Sequence, residues 1–432
     1  MLAMTPALGT SARASESPAW SGVSCSPAFV AILTFVVAFA IFFAGMQAPA
    51  RPYYDEGFYV VSSKAFLMGV SDPNRGSPPL GQMLIAAGIR TFGDNPLGWR
   101  IAGSVFGALT LPAVFLWTFL LTRELRIAAI AAALTLFNNF LFVMSRLAML
   151  DVFLVCFLFW GLVAYTAALE LNVGTGKRRI LLCCAGVSLG LAGGSKVNAA
   201  DTLAVLALVS AVLLWIPKRF MADTTAPLSR YAQNLRQAGF SSVVLGLLVV
   251  ALITYGLVFW PLFRSLHQPF GIRQLAEINV FMWHFKTTGA CNGAIASSWY
   301  TWPFHLSPQR ALSYLLGNPV VMWGGVVSLL FGLWRIWRSL AVPETLLLLL
   351  YAANLLQWSI TPMKATYYYY YFPAAMFLGV ALAVAVHRLP RKIFGIRVGL
   401  LIVVAAAVVF IWCYPRMAHL GAPWDCALGC WT

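Results

Sequence analysis

The sequence predicts an all-α protein that crosses a membrane many times, and three observations carry that reading. Of its 432 residues, 61% are hydrophobic and 10% are charged, against about 25% charged in an ordinary soluble domain; the mean hydropathy is +0.81. Apolar runs recur at about the 20-residue length that a helix needs to cross the hydrocarbon. Basic residues gather in short connections that fall on one side of the bilayer when the runs are counted as spans. No polar stretch is long enough to fold separately, so the spans are expected to pack as one bundle. The net charge of +16 reads as topology signals and lipid-headgroup contacts. A nucleic-acid partner is not expected, because no soluble module carries a basic stripe.

Residues 1–27 are rich in Ser, Pro and Ala, with Arg13 and Glu16 as the only charges, and read as a disordered cytoplasmic tail. Ala28 to Gln47 reads as a full span rather than a signal-peptide core. About eleven spans are expected in all, near 28–47, 97–121, 126–144, 147–170, 179–194, 200–217, 240–263, 318–338, 343–361, 367–387 and 397–414. The connections holding Arg123 and Arg126, Lys177 to Arg179, Lys218 and Arg219, Arg335 and Arg338, and Arg388, Arg391 and Lys392 then share the cytoplasmic side. Residues 28–415 form the membrane domain on this reading, and 416–432 form a C-terminal tail outside.

Two long outer segments, 48–96 and 264–317, look like structured caps. The first carries Leu80, Met83, Leu84 and Ala87 at helical spacing, a face suited to the interface plane. The second carries Trp283, Trp299, Tyr300 and Trp302, an interfacial aromatic set. Cys156, Cys183, Cys184 and Cys413 are in or beside spans and read as small packing residues. Cys291, Cys426 and Cys430 are on the outer side, where a Cys426–Cys430 bridge and a bridge from either to Cys291 are both open. No metal-ligand spacing occurs, and no metal or other cofactor is expected to be required.

Only 13 of the residues are acidic, and two of them, Asp55 and Glu56, stand side by side just after the first span. The same rim collects Arg100, Arg146, Asp151, Lys196, Asp201 and Lys364. A charge within the membrane costs roughly 2.5–3.5 kcal/mol on insertion scales, and positive-inside topology leaves few cations in short outer loops. Snorkelling to headgroups explains any one of these cations alone; together they imply a shared cavity. Cations at headgroup depth suit an anionic lipid, with Arg as a planar fork and Lys as a point charge for phosphate. A carboxylate beside them suits removal of a proton from an incoming hydroxyl. The combination describes glycosyl transfer from a lipid-linked sugar phosphate to an alcohol, by direct displacement that inverts the anomeric centre. A phosphate leaving group needs charge stabilisation rather than a separate acid.

These residues also carry a resemblance. Asp55-Glu56 matches the Asp-Glu motif of the protein O-mannosyltransferases, membrane glycosyltransferases that use polyprenyl-phosphate sugars. Ser77-Pro78-Pro79-Leu80-Gly81-Gln82 is similar to their His-Pro-Pro-Leu-Gly-Lys segment, with Ser77 and Gln82 in place of His and Lys. Trp99-Arg100, Ser145-Arg146 to Leu150-Asp151, and Ser195-Lys196 resemble family segments in order, with Val197 where the family has Trp. Ser298 to Pro303 and Gly317-Asn318-Pro319 follow the pattern. Lys364 stands where the family has Arg, and Tyr370 replaces a His ahead of Pro373. The 264–317 segment is too short for the soluble lumenal domain of the eukaryotic members, so the resemblance is to the bacterial branch.

The resemblance implies a GT-C-like helical architecture in a bacterial inner membrane, with the active site facing the periplasm. It implies mannose or a related sugar moving from a polyprenyl-phosphate donor to a hydroxyl of a periplasmic protein. Asp55 is the expected base, with Glu56 orienting it or the acceptor. Arg100, Arg146, Lys196 and Lys364 are expected on the donor phosphate or holding loops. Asp151 pairs with Arg146 or Lys196, His284 is a packed or headgroup histidine with a lesser claim to the site, and Tyr370 belongs to an aromatic belt or stacks on sugar. A lipid or glycan acceptor, as in the lipid A aminoarabinose transferases, is the alternative enzyme. A lipid-linked-sugar transporter is the alternative of another class. Transporters place polar groups and broken helices at mid-membrane, whereas here the span interiors are nearly free of charge.

Overall fold

The computed structural model describes residues 26–418, apart from 73, 75, 218–225, 289–295, 305–315, 340, 364, 390, 391, 394 and 395. Lys364, Cys25, Cys291, Cys426 and Cys430 therefore lie outside the described residues, as do 1–25 and 419–432 of the two expected tails. The helices are α1 (Pro27–Phe43), α2 (Glu56–Met68), α3 (Leu80–Phe92), α4 (Pro96–Thr122), α5 (Leu125–Leu136), α6 (Asn139–Ser145), α7 (Asp151–Glu170) and α8 (Thr175–Ser195). They continue as α9 (Ala199–Trp215), α10 (Pro227–Ala238), α11 (Phe240–Ser265), α12 (Ile272–Thr288), α13 (Pro319–Ser339), α14 (Val342–Ile360), α15 (Phe372–Arg388) and α16 (Val398–Ala418). The extended pairing among the described residues is a two-residue antiparallel ladder, Lys392–Ile393 against Ile396–Arg397.

Each of the eleven expected spans falls on helix, but the count of eleven is not borne out. Among the described residues, six helices are long and apolar enough to cross a membrane: α4, α7, α11, α13, α15 and α16. A seventh is reached if α5 and α6, bent by 62° at their junction, count as one. The rest fall short for visible reasons. Helices α1 and α9 are each 17 residues long. Helix α8 opens on Lys177, Arg178 and Arg179, and α14 carries Glu344, Asn354 and Gln357.

Local chemistry sets many of the ends. Asn95 accepts from the Gly98 amide at the start of α4, with Pro96 at the first helical position, where a missing N–H costs nothing. Gly69 closes α2 at φ 67°, a conformation glycine adopts without a Cβ penalty. Asn318 ties the bent pair to the bundle: it donates to the Phe137 and Ala406 carbonyls at 3.0 and 2.8 Å while its own oxygen caps Val320.

Helices α4, α7 and α15 form the centre, with α1 and α5 on α4, α8 on α7, and α13 and α14 on α15. Trp117 of α4 is fully buried and donates to Thr166 of α7 at 3.0 Å. At the opposite end from the acidic pair, Glu170 holds Arg123 and Arg230, and Glu344 holds Arg335 and Arg388. Arg123, Arg335 and Arg388, three of the cations read as cytoplasmic, are thus held by buried acids away from the Asp55–Glu56 pair.

Two aromatic expectations change. Trp302 is fully buried and donates to the Ser297 hydroxyl at 2.8 Å, so it is a core residue rather than a member of an interfacial set. Tyr368, Tyr369 and Tyr371 are also buried. A 3-10 turn over Tyr368–Tyr371 splays successive rings in different directions, where a belt needs them side by side at the rim.

Helix α8 approaches α11 through Gly186, Gly190 and Gly194, spaced four apart so that they share one face. A Cβ at Gly190 would lie 2.5 Å from the Ala251 carbonyl oxygen and 2.6 Å from Thr254. Gly190→Leu is expected to force the two helices apart and cost about 1–3 kcal/mol; a lowered thermal unfolding midpoint in detergent checks this.

Candidate active site

The acidic pair divides into two roles. Glu56 is fully buried in the first turn of α2, and all its acceptor capacity is used. Arg100, equally buried, meets it as a fork: Nε donates to Oε1 at 2.7 Å and Nη2 to Oε2 at 2.8 Å. The amides of Ala148 and Tyr53 donate to the same carboxylate at 2.8 and 2.9 Å. The Tyr53 contact satisfies a loop amide two residues before the N-cap of the helix. Arg100 also donates to the carbonyls of Met46, Pro49 and Arg51. A bidentate guanidinium–carboxylate pair with every lone pair occupied offsets the cost of burying two charges. It pins the loop after α1 to α4 and to the turn before α7.

Asp55, one residue earlier, has a different environment. Tyr54 takes a positive φ of 56°, uncommon for a bulky residue, and reverses the chain just ahead of it. Asp55 sits at the N-cap of α2 yet makes no capping bond, although Asp is a preferred cap. Its carboxylate is partly exposed and instead accepts from Tyr369 Oη at 2.9 Å. Desolvation raises its pKa above the usual carboxylate range and nearby Asp151 adds to this, while the Tyr369 hydrogen bond and Lys196 oppose it. A carboxylate so placed, which forms no ion pair among the described residues, has the chemistry of a proton acceptor.

Lys196 ends α8 in extended backbone and points to Asp151 at the start of α7, Nζ to Oδ1 at 2.7 Å. The second Asp151 oxygen is buried with no hydrogen-bond partner. The ammonium also lies over the rings of Tyr369 and Tyr370, 5.0 and 4.9 Å from their centroids, within cation–π range. Tyr370 in turn stacks on Trp358 of α14, centroids 4.5 Å apart.

These side chains border a cavity of about 360 Å³. Its polar lining comes from Lys196, Asn198, Asp201, Lys286, Gln357 and Tyr369, and its apolar lining includes Met282, Trp283 and Trp358. Ser77, the residue in place of the family histidine, also reaches it. Asp55 is not in the lining. It stands on the other side of Tyr369, whose ring and hydroxyl join carboxylate to cavity.

The sequence-selected residues are thus sorted. Asp55, Asp151, Lys196 and Tyr370 converge on Tyr369. Glu56 and Arg100 stand behind them as a scaffold. Arg146 lies apart from the cavity, donating to the Ala44 carbonyl with its guanidinium 4.9 Å from the Phe142 ring centroid. His284 is on the exposed face of α12, outside the cavity lining. Lys286 and Gln357 were missed because a single polar residue on a mixed helix carries no distinguishing pattern. For Lys286 the signal was the periodicity of α12, where Asn279, Trp283 and Lys286 share a stripe. Among the described residues no three His, Cys, Asp or Glu side chains gather as a metal site.

A helical bundle with acids, cations and a cavity at one pole is shared with solved membrane glycosyltransferases. The fold matches the S. cerevisiae protein O-mannosyltransferase Pmt1–Pmt2 complex bound to the sugar donor, with a TM-score of 0.76 at 13% identity, covering 94% of this chain and 91% of that one. It also matches ArnT from Cupriavidus metallidurans bound to undecaprenyl phosphate, with a TM-score of 0.59 at 17% identity, covering 91% of this chain and 72% of the other. The family model for dolichyl-phosphate-mannose-protein mannosyltransferase matches residues 93–267. A polyprenol-phosphate-mannose–protein mannosyltransferase of Corynebacterium glutamicum is 24% identical across 83% of this chain and 81% of its own length. The chain is thus similar to protein O-mannosyltransferases in sequence over much of its length and in fold.

Removing one partner of a buried, fully bonded ion pair leaves the other charge stranded. Arg100→Ala is expected to cost about 3–5 kcal/mol and to loosen the loop that carries Asp55. Folded yield and thermal midpoint in detergent, compared with those of the wild type, check it.

Proposed function

We propose that the chain transfers mannose from a polyprenyl-phosphate donor to a Ser or Thr hydroxyl of a protein, with its site on the periplasmic face of a bacterial inner membrane. The observation that carries this reading is the placement of Asp55. It is an unpaired carboxylate held by Tyr369, with Lys196 on the far face of the same ring. The names and motifs of the relatives support the mannosyl donor, and the positive-inside distribution of the loops supports the orientation.

In this mechanism the acceptor hydroxyl oxygen attacks the anomeric carbon as its proton passes to Asp55. The bond from that carbon to the phosphate oxygen breaks, and the electron pair leaves on polyprenyl phosphate. Attack opposite the leaving group inverts the anomeric centre. Lys196, held in register by Asp151, stabilises the charge that develops on the phosphate. Glu56 and Arg100 act as positioning residues through the loop. Tyr370 and Trp358 supply a stacked aromatic wall beside the sugar. A lipid hydroxyl as acceptor requires the same steps, so peptide and lipid acceptors are to be compared directly.

Asp55→Asn, in membranes with matched expression, is expected to lower transfer from a polyprenyl-phosphate mannose donor more than 100-fold. Near-normal turnover would remove Asp55 from the role of base. The pH profile offers a finer check. The base acts when ionised, so kcat/KM falls as pH drops through its pKa, and the elevation of that pKa places the acid limb above the usual Asp range. Tyr369 donates to the ionised form, so Tyr369→Phe is expected to move the limb to still higher pH; a limb that stays in place contradicts this assignment.

A further inference from the structure

The cavity holds a second ammonium group that the mechanism above does not use. Lys286 lies near the end of α12, on the outer segment between α11 and α13. Helix α12 is seated by Leu275, Ile278 and Met282, which pack against Tyr255, Phe259 and Phe263 of α11. That seating turns the stripe of Asn279, Trp283 and Lys286 into the cavity. The loop before α3 closes on the same helix, where the Phe285 ring lies so near Gly76 that a Cβ there would be 2.6 Å from it. Lys286 is therefore held between two packed elements.

The two ammonium groups are not held alike. Lys196 is matched by Asp151, whereas among the described residues no side-chain ion pair is formed by Lys286. Lys196 and Asp151 both act on it electrostatically, the first repelling and the second attracting. Asp201 lines the cavity as well but has no such effect on it, so the carboxylate belongs to a different wall. Lys286 is thus left without a carboxylate in direct contact among the described residues, on the wall of a half-open cavity of about 360 Å³. A cation half-removed from water with no partner is costly, and a ligand anion restores the balance.

We propose that Lys286 is a second donor-phosphate ligand, facing Lys196 across the cavity so that the two ammonium groups bind the phosphate of a polyprenyl-phosphate sugar between them. This deepens the mannosyl-transfer reading and rests on it for the identity of the sugar. The phosphate of the donor carries one negative charge, and the polyprenyl phosphate released carries up to two. Lys196 alone is largely neutralised by Asp151, so the additional charge falls to Lys286. The lysine gains most of its hold on the leaving group as the glycosidic bond breaks, which is where stabilisation speeds the reaction.

Burial and the neighbouring Lys196 lower the pKa of Lys286 to about 8. The groups facing it are Lys196 and Asp151, with Asp201 and the Tyr59, Tyr369 and Tyr370 hydroxyls on the remaining walls. Lys286 is charged below its pKa and loses the charge as pH rises through it. Phosphate binding should therefore weaken above about pH 8.

The test uses the full-length protein in nanodiscs and two readouts: binding of undecaprenyl phosphate, and mannosyl transfer with the donor varied. Lys286→Gln is expected to weaken undecaprenyl phosphate binding and to raise the donor KM roughly tenfold or more. Lys286→Arg should retain binding and carry it to higher pH, because the guanidinium stays charged. Lys177→Gln, at the opposite pole, is the control for net charge. Unchanged binding and donor KM in Lys286→Gln would overturn the proposal, as would displacement of the lipid by an equal concentration of inorganic phosphate. Wild-type protein that binds undecaprenyl phosphate through Lys286 but transfers no mannose would uphold the phosphate site and reject the mannosyl reading. Correct folding of the variants is read from their thermal midpoints, and the Arg variant keeps the question answerable if the Gln variant does not fold.

Discussion

A guanidinium and a carboxylate with no exposed surface hold the catalytic pole together. Arg100 and Glu56 meet through two charge-assisted hydrogen bonds, and the unused donors of the guanidinium close on three carbonyls of the loop after α1. The loop thereby becomes an extension of α4. Because Glu56 also accepts from the Ala148 amide, the turn that leads to Asp151 is fixed to the same point. Asp55 and Asp151, the two acids around Lys196, are thus referenced to one buried ion pair. Such a pair contributes little net stability compared with apolar packing, but it discriminates strongly against other arrangements of these strands of chain.

The adjacency of Asp55 and Glu56 illustrates a division of labour that helix geometry enforces. Successive residues at a helix start point about 100° apart, so one faces the bundle and the other the rim. The buried member has every oxygen saturated, which fixes its orientation. The rim member is left with a single tyrosine hydroxyl and a distant lysine, an environment that favours proton uptake. A scaffold acid and a working acid are made from neighbouring positions by burial alone.

Tyr369 occupies the junction between that working acid and the cavity. Its hydroxyl reaches Asp55, and its ring receives the Lys196 ammonium. Asp55 and Lys196 therefore meet the same tyrosine without forming a direct salt bridge to each other. The 3-10 turn that places Tyr369 also places Tyr370 against Trp358, so one short segment builds both the partition and the aromatic surface beside it.

Much of this was legible in the sequence. Hydropathy and charge distribution revealed a helical membrane protein, and the ordered motifs revealed its resemblance to protein O-mannosyltransferases. The scarcity of acids singled out Asp55 and Glu56, because a carboxylate is expensive at the lip of a bilayer. The number of crossings was less legible, since α8 opens on the exposed cations Lys177 and Arg179 and α14 buries Glu344 and Asn354 among its neighbours. Only the tertiary structure separated the roles of the charged rim. It sent Arg100 to a loop clamp and left Arg146 and His284 away from the cavity, while Lys286 was brought in from a segment with no motif. The physical reason is that sequence records which charges exist and near which membrane depth. Their partners are chosen by the rotation and packing of helices that are far apart in the chain.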